Sequence, residues 1–384
     1  MRAGAIFGSE AAVSSRPLRV VLAGGFTGGH IFCSLAIARA LRATAPDTAL
    51  LIVGARGGME IPIARAAGFD VATVWLDGLE RRLTARAVAR SLLLPVKLGV
   101  SLAQARGILR QFRPDVAVGV GAYVSFPVLA AAAARGLPVL LHEANARPGV
   151  ANRLLARVAD VVCVGVPAAM PAFAAARRVV HTGNPVRAEL AQPPPPVTEA
   201  RRRLGLTPDR TTVLVMGGSL GASRLNDWML AAGARFASSP HQVLWQSGRK
   251  HFDGCLARGG ARPNVHLVPF LDDMAAAYAA ADLVVAGAGA MTLAELSFLG
   301  KPALVVPDRN VSEDHQTPNA DVVRAQGGLV WDQPALDERL TARIEALLQD
   351  EAERRALGER MRAGAQPQAA ARIAAEITAL ATRL

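Results

Sequence analysis

The chain has 384 residues, 51% of them hydrophobic, with 35 Gly and 24 Pro, which is apolar material enough for two domains. Its 43 Lys and Arg against 31 Asp and Glu give a formal charge of +12, which calls for an anionic partner. With 4% aromatic residues and no recognisable nucleic-acid module, nucleic acid is set aside in favour of phosphorylated substrates or anionic lipid.

Residues 1–16 are small and polar, without the apolar segment of a signal peptide, and read as a loose tail. Residues 18–23 form an apolar run that reads as a buried parallel strand. The turn Gly24-Gly25-Phe26-Thr27-Gly28-Gly29-His30 follows, and then residues 31–41, apolar at helical spacing. A strand, a glycine turn and a helix N-terminus make a seat for an anion, because free N–H groups and the positive end of the helix dipole point at it. His30 would stand at the mouth of that seat, on the carboxyl edge of a parallel sheet. The spelling fits neither G-x-G-x-x-G nor a P-loop, since Gly29 is followed by His30. A turn whose glycines serve only packing is the plain alternative.

Residues 49–53 and a segment ending at Trp75 read as further strands. Residues 79–113 read as one or two helices carrying eight basic residues against one acidic residue, Glu80. Around Leu92, Leu93 and Leu94, the residues Arg81, Arg82, Arg86, Arg90 and Lys97 make a candidate surface for an anionic membrane. Each basic residue at such a surface is worth ~1 kcal/mol. An ordinary solvated helix face explains the same residues. Residues 114–120 and 137–141 read as strands ending in Gly121-Ala122-Tyr123-Val124-Ser125 and His142-Glu143-Ala144-Asn145. Three polar strand ends in one half suggest a site. His142 reads better as a hydrogen-bonded support than as a catalyst.

Residues 178–182 make a last strand before Gly183-Asn184-Pro185-Val186-Arg187 and the stiff run Gln192-Pro193-Pro194-Pro195-Pro196. The opening plan then returns: residues 212–216, Gly217-Gly218-Ser219-Leu220-Gly221-Ala222, and a helix. Strands at 242–246 and 264–270 lead to Leu271. A third turn, Gly287-Ala288-Gly289-Ala290-Met291-Thr292-Leu293-Ala294-Glu295, feeds another helix. A diphosphate over its N–H groups gains up to ~2 kcal/mol when partly buried, and Glu295 is suited to a ribose diol. A capping role for Glu295 fits that segment equally well. The strand at 303–306 leads to Asp314-His315-Gln316-Thr317-Pro318-Asn319-Ala320.

Seven of these motifs in order (24–30, 121–125, 142–145, 183–187, 217–222, 290–295 and 314–320) resemble the MurG family of UDP-N-acetylglucosamine transferases. The likeness runs from about Arg19 to the C-terminus. It implies an α/β, GT-B fold of two Rossmann-like parallel-sheet domains facing a cleft. Residues 17–186 would form the acceptor and membrane-facing domain and 187–360 the donor domain, with 361–384 packing back on the first. It implies inverting transfer of N-acetylglucosamine to the 4-hydroxyl of undecaprenyl-diphosphate-linked N-acetylmuramyl-pentapeptide, with no cofactor and no metal. The absence of any Asp-x-Asp agrees with the last point. His30 would be the base. On the donor side, Leu271 would meet the uracil, Glu295 the ribose, and Ser219, Met291 and Thr292 the phosphates, with Ala290, Leu293 and Ala294 completing the segment. Arg187 would approach the diphosphate, and Gln316 and Asn319 would hold the sugar hydroxyls. The acceptor would enter over Thr27, Gly28 and Gly29, near Tyr123, Glu143 and Asn145. The protein would be peripheral, on the cytoplasmic face of the inner membrane.

The departures from the family pattern are Phe26 for Gly, Cys33 for Pro, Ala144 for Gln, Gly287 for Arg and Ala288 for Ser. They leave open a GT-B transferase with a different lipid acceptor. A non-catalytic nucleotide-sugar-binding scaffold is the other alternative, though it would be marked by loss of His30 or Glu295.

Overall fold

The computed structural model describes residues 16–25, 28–76, 93–219, 221–333 and 335–382, with the side chains of Leu94 and Ser312 excepted. Most of the N-terminal tail, Phe26, Thr27, Arg81, Arg82, Arg86, Arg90 and Leu92 lie outside the described residues.

The first sheet contains β1 (Arg19–Ala23), β2 (Ala49–Ala55), β3 (Asp70–Val74), β4 (Val116–Gly119), β5 (Val139–Glu143), β6 (Val161–Val164) and β7 (Val179–His181). All are parallel, in the order β3-β2-β1-β4-β5-β6-β7. The strands are short runs of Val, Leu, Ile and Ala because both sheet faces are covered. Alternate residues divide between two cores. Val20, Leu22, Val118 and Leu140 face α1 (Gly28–Thr44), whereas Val21, Ala23, Ala117 and Leu141 face α3 (Leu94–Phe112) and α4 (Ser125–Ala133). Helix α2 (Glu60–Ala66) follows β2, and the short α5 (Val150–Leu155) follows β5.

The second sheet is built from β8 (Thr212–Met216), β9 (Gln242–Gln246), β10 (Val265–Val268), β11 (Leu283–Ala286), β12 (Ala303–Val305) and β13 (Leu329–Val330). It is also parallel, in the order β10-β9-β8-β11-β12-β13. Helices α6 (Val197–Arg203) to α13 (Glu351–Arg362) belong with it; those bearing on the site are α9 (Met274–Ala280), α10 (Ala290–Leu299) and α11 (Gln316–Ala325).

The chain crosses between the sheets twice. Strand β7 is still in the first, but Leu190 already packs in the core of the second, so the first crossing lies upstream of the proline run. The second crossing, after α13, leads to α14 (Ala369–Ala381), where Ile373, Ile377 and Leu380 join the cluster around Val20, Ile31 and Leu35. Glu376 receives both guanidinium nitrogens of Arg178, at 2.6 and 2.7 Å. The two crossings touch at Gly183: its φ is +87°, and a methyl there would stand 2.3 Å from Gln366 Cβ. Only glycine allows both.

Among the described residues no helix is long and apolar enough to cross a membrane. The docking of α14 supplies a test of how far the first core depends on the chain's last segment. Ile377 is fully buried there, and Ile377→Ala is expected to cost about 2–5 kcal/mol in urea unfolding. An unchanged midpoint would show that the helix is not integral to that core.

Candidate active site

The first glycine turn is pinned at its base, where the Gly24 N–H donates to the Val53 carbonyl at 3.2 Å. His30 opens α1 and is half-buried, with Nδ1 3.2 Å from the Gly25 carbonyl. Its ring lies against Gly121: a methyl there would be 2.8 Å from Nε2, and φ is +102°. Ser125 Oγ stands 2.8 Å from the Ala23 carbonyl and 2.6 Å from that of Gly121, tying the strand ends beside the imidazole. Burial pushes the His30 imidazole down to about 4, against the opposing pull of the Gly25 carbonyl, and His315 adds to the lowering. The ring is therefore neutral throughout the physiological range. When Nδ1–H donates to Gly25, the lone pair resides on Nε2.

The second turn meets the first. The Gly28 N–H donates to Ser219 Oγ at 3.1 Å, and a methyl on Gly28 would be 2.8 Å from Ser219 Cβ. Gln246, which the sequence did not single out, organises the neighbouring strand ends. Its Nε2 donates to the Gly218 carbonyl at 2.9 Å, and its Oε1 accepts the Leu271 N–H at 3.1 Å.

The third turn carries the most engaged groups. Glu295 is 2% exposed. Its Oε1 accepts Arg187 Nε at 2.7 Å and its Oε2 accepts the Tyr278 hydroxyl at 2.8 Å. Burial beside that carboxylate holds the Tyr278 phenol well above its usual range, so it remains a donor. The Arg187 guanidinium also lies 3.8 Å from the centre of the Phe32 ring on α1. Met291 and Ala290 pack into the first domain's core, Leu293 into the second's, and Thr292 and Ala294 are half-buried. At Gly287 and Ala288, where the family pattern has Arg and Ser, the backbone N–H groups donate to Met216 and to Gln316 Oε1. Gln316 Oε1 also accepts the Asp308 N–H at 3.0 Å.

Asn319 bridges the domains. Its Oδ1 accepts the Ala146 N–H at 2.8 Å, and its Nδ2 donates to Asn145 Oδ1 at 3.1 Å and to the Ala288 carbonyl at 3.0 Å. Asn145 is held in turn by Glu143, which accepts its N–H and Nδ2 at 2.9 and 3.1 Å, the Gly149 N–H at 3.3 Å and Asn152 Nδ2 at 2.8 Å. Burial raises the Glu143 carboxyl, and these donors oppose the rise.

His142 is fully buried, with Nδ1 3.5 Å from Cys33 Sγ and Nε2 3.4 Å from the Gly183 carbonyl, and burial lowers it to about 4. Ala144 is packed in the core on the α1 side of the first sheet, and Tyr123 is half-buried against the core on its other side. Of the membrane candidates, Leu93 is 48% exposed, and its neighbour Val96 56%. Lys97 departs from the expected basic face: it is buried, its ammonium 5.6 Å from the Trp75 ring centre. Tyr278, Phe32, Gln246 and Asn152 are partners the sequence did not reveal. Apart from Asn152, nine residues from Glu143, each acts on a residue further off in the chain, and only the scarcity of tyrosine, two in the chain, marked Tyr278.

Residues 20–164 match the glycosyltransferase family 28 N-terminal domain, and residues 212–377 match its C-terminal domain. A UDP-N-acetylglucosamine–N-acetylmuramyl-(pentapeptide) pyrophosphoryl-undecaprenol N-acetylglucosamine transferase of Bacteroides fragilis is 40% identical over 370 residues, 95% of this chain and 96% of that one. A Salinibacter ruber protein of the same name is 38% identical over 379 residues, 97% of this chain and 99% of that one. Among solved structures, Acinetobacter baumannii MurG superposes with a TM-score of 0.70 at 27% identity, covering 94% of this chain and 100% of that one. The calicheamicin glycosyltransferase CalG4, at 18% identity and a TM-score of 0.66 over 96% of this chain and 99% of its own, shares the fold. The chain belongs to glycosyltransferase family 28, within its MurG family, and has the two-domain GT-B fold.

Proposed function

We propose that the cleft transfers N-acetylglucosamine from UDP-N-acetylglucosamine to the 4-hydroxyl of undecaprenyl-diphosphate-linked N-acetylmuramyl-pentapeptide, in peptidoglycan synthesis. The observation that carries this reading is the placement of His30 at the N-terminus of α1, with Nδ1 3.2 Å from the Gly25 carbonyl and its turn meeting the donor-side turn where Gly28 N–H donates to Ser219 Oγ. The relatives named for that reaction match both domains.

In this reading the acceptor enters over Thr27, Gly28 and Gly29, with Tyr123, Glu143 and Asn145 along the same edge. His30 Nε2 takes the proton of the 4-hydroxyl as its oxygen bonds to the anomeric carbon. The bond to the diphosphate breaks on the opposite face, and UDP leaves with the bonding pair, so the anomeric centre inverts. The developing charge is met by N–H groups at the starts of α1 and α10, by Ser219 and Thr292, and by Arg187. No metal or cofactor is assigned a step. Leu271 reads the uracil by its backbone. Glu295 has lone-pair sites beyond those used by Arg187 and Tyr278, so it accepts the ribose hydroxyls alongside them. Gln316, whose oxygen fixes the third turn, offers its amide N–H groups to the sugar, and Asn319 stands at the sugar's far side. The exposed Leu93 and Val96, with Arg81, Arg82, Arg86 and Arg90, dock the protein on the anionic cytoplasmic face of the inner membrane, where the acceptor resides.

The reading is tested by transfer of labelled sugar from UDP-N-acetylglucosamine to a lipid-diphosphate-N-acetylmuramyl-pentapeptide analogue in EDTA. Turnover supports it, binding of the nucleotide sugar without turnover moves the reading to another lipid acceptor, and no binding contradicts it. His30→Ala is expected to lower kcat by about 100- to 10,000-fold while UDP-N-acetylglucosamine affinity, read by calorimetry, stays unchanged. Because His30 titrates near 4 in the free protein, kcat/KM should stay level from pH 8 to about 5 and fall only below that, where the base is protonated. Bound diphosphates favour the imidazolium, so the acid limb of kcat should lie at higher pH than that of kcat/KM. A kcat/KM limb at the ordinary histidine value, ~6.5, would contradict the buried neutral ring. Reversing Arg81, Arg82, Arg86 and Arg90 to Glu is expected to release the protein from anionic vesicles in flotation assays without reducing its UDP-sugar affinity.

A further inference from the structure

Glu60 is fully buried at the start of α2, and two adjacent strand-end loops close around it. Its Oε1 accepts the Ala55 N–H at 2.7 Å. A methyl on Gly25 would stand 2.3 Å from Oε1, one on Gly58 2.3 Å from the same atom, and one on Gly54 2.5 Å from Cγ. Three glycines, Gly25 after β1, Gly54 near the end of β2 and Gly58 after it, are thus shaped around one side chain that none of the donor or acceptor roles uses. A side chain that only filled space would be apolar here, since burying a carboxylate is costly unless it is hydrogen-bonded.

Of the three, Gly25 has a second contact: its carbonyl meets His30 Nδ1. The tautomer of a neutral imidazole is set by the hydrogen bond its other nitrogen makes. The group that sets it belongs to a glycine-rich turn, which has much conformational freedom to lose. Glu60, from outside the turn, is wedged against it at Gly25. We infer that Glu60 is a positioning residue for His30: it fixes the Gly25 carbonyl against Nδ1–H and so keeps the proton-accepting lone pair on Nε2. The inference rests on the reading of His30 as the base.

The test pairs nitrogen-15 NMR of histidine-labelled protein with transfer kinetics on the wild type, Glu60→Gln and Glu60→Asp. Gln keeps the reach of the side chain and an oxygen for the Ala55 N–H. Asp keeps the charge but withdraws it by one methylene from Gly25. The wild type and Glu60→Gln should show His30 protonated on Nδ1, with kcat in the Gln form within about threefold of wild type. Glu60→Asp should show mixed tautomers and a kcat lower by roughly 10- to 100-fold, with UDP-N-acetylglucosamine affinity unchanged. A folded Glu60→Asp protein with the wild-type tautomer and wild-type kcat would overturn the inference. So would a wild-type His30 protonated on Nε2, which is read without any variant and stands even if the Asp form misfolds. Turnover retained by His30→Ala would instead remove the base reading, and it is seen in a protein whose Glu60 is intact.

Discussion

One buried carboxamide joins the carboxyl edges of the two sheets. Every hydrogen-bonding group of Asn319 is engaged, with Ala146 and Asn145 on one side and Ala288 on the other, at 4% exposure. Behind Asn145 stand Glu143 and Asn152, and behind Ala288 stands Gln316, which also holds Asp308. A polar chain therefore runs from the carboxyl edge of one sheet to that of the other through buried surroundings. Leaving one such group without its partner costs about 1–3 kcal/mol, and networks of this kind behave as units. The consequence for function is that the residue proposed to stand at the sugar's far side is oriented by the acceptor domain.

A second connection runs beside the first. Arg187 leaves the first crossing, lies on Phe32 of α1 and pairs with Glu295 of α10. A buried ion pair repays its desolvation only when the remaining lone pairs are also bonded, and the Tyr278 hydroxyl meets that condition at Oε2. The carboxylate assigned to the ribose is thus set by the crossing between domains and by α9. Nucleotide binding and domain placement draw on the same few atoms.

How much of this was legible in the sequence follows from the range over which each feature acts. The glycine turns could be read because strand, turn and helix start are local, and because positive φ and close backbone approach select glycine, as at Gly121 and Gly183. The parallel sheets could be read because a strand covered on both faces is a continuous apolar run. Strand β13, of two residues, is too short to leave such a mark. The partners of the site residues were hidden by distance along the chain. Tyr278 meets Glu295, Gln246 meets Leu271, and Cys33 meets His142 across 109 residues. Lys97 misled because a charge in an amphipathic helix reads as exposed, whereas its stem is buried and its ammonium lies over Trp75. Glu60 left no mark in the sequence, because the three glycines packed on it come from two separate strand ends.

The central claim is that the two sheet edges act as one site because Asn145 and Asn319 join them. It is tested most directly by a double-mutant cycle on kcat/KM for sugar transfer, using Asn145→Ala, Asn319→Ala and the double variant. The account predicts strong non-additivity: the second substitution should add little to the first, with a coupling of at least about 1 kcal/mol. Losses that simply add would mean that the two residues serve donor and acceptor separately, and that the bridge between the domains is not part of the catalytic arrangement.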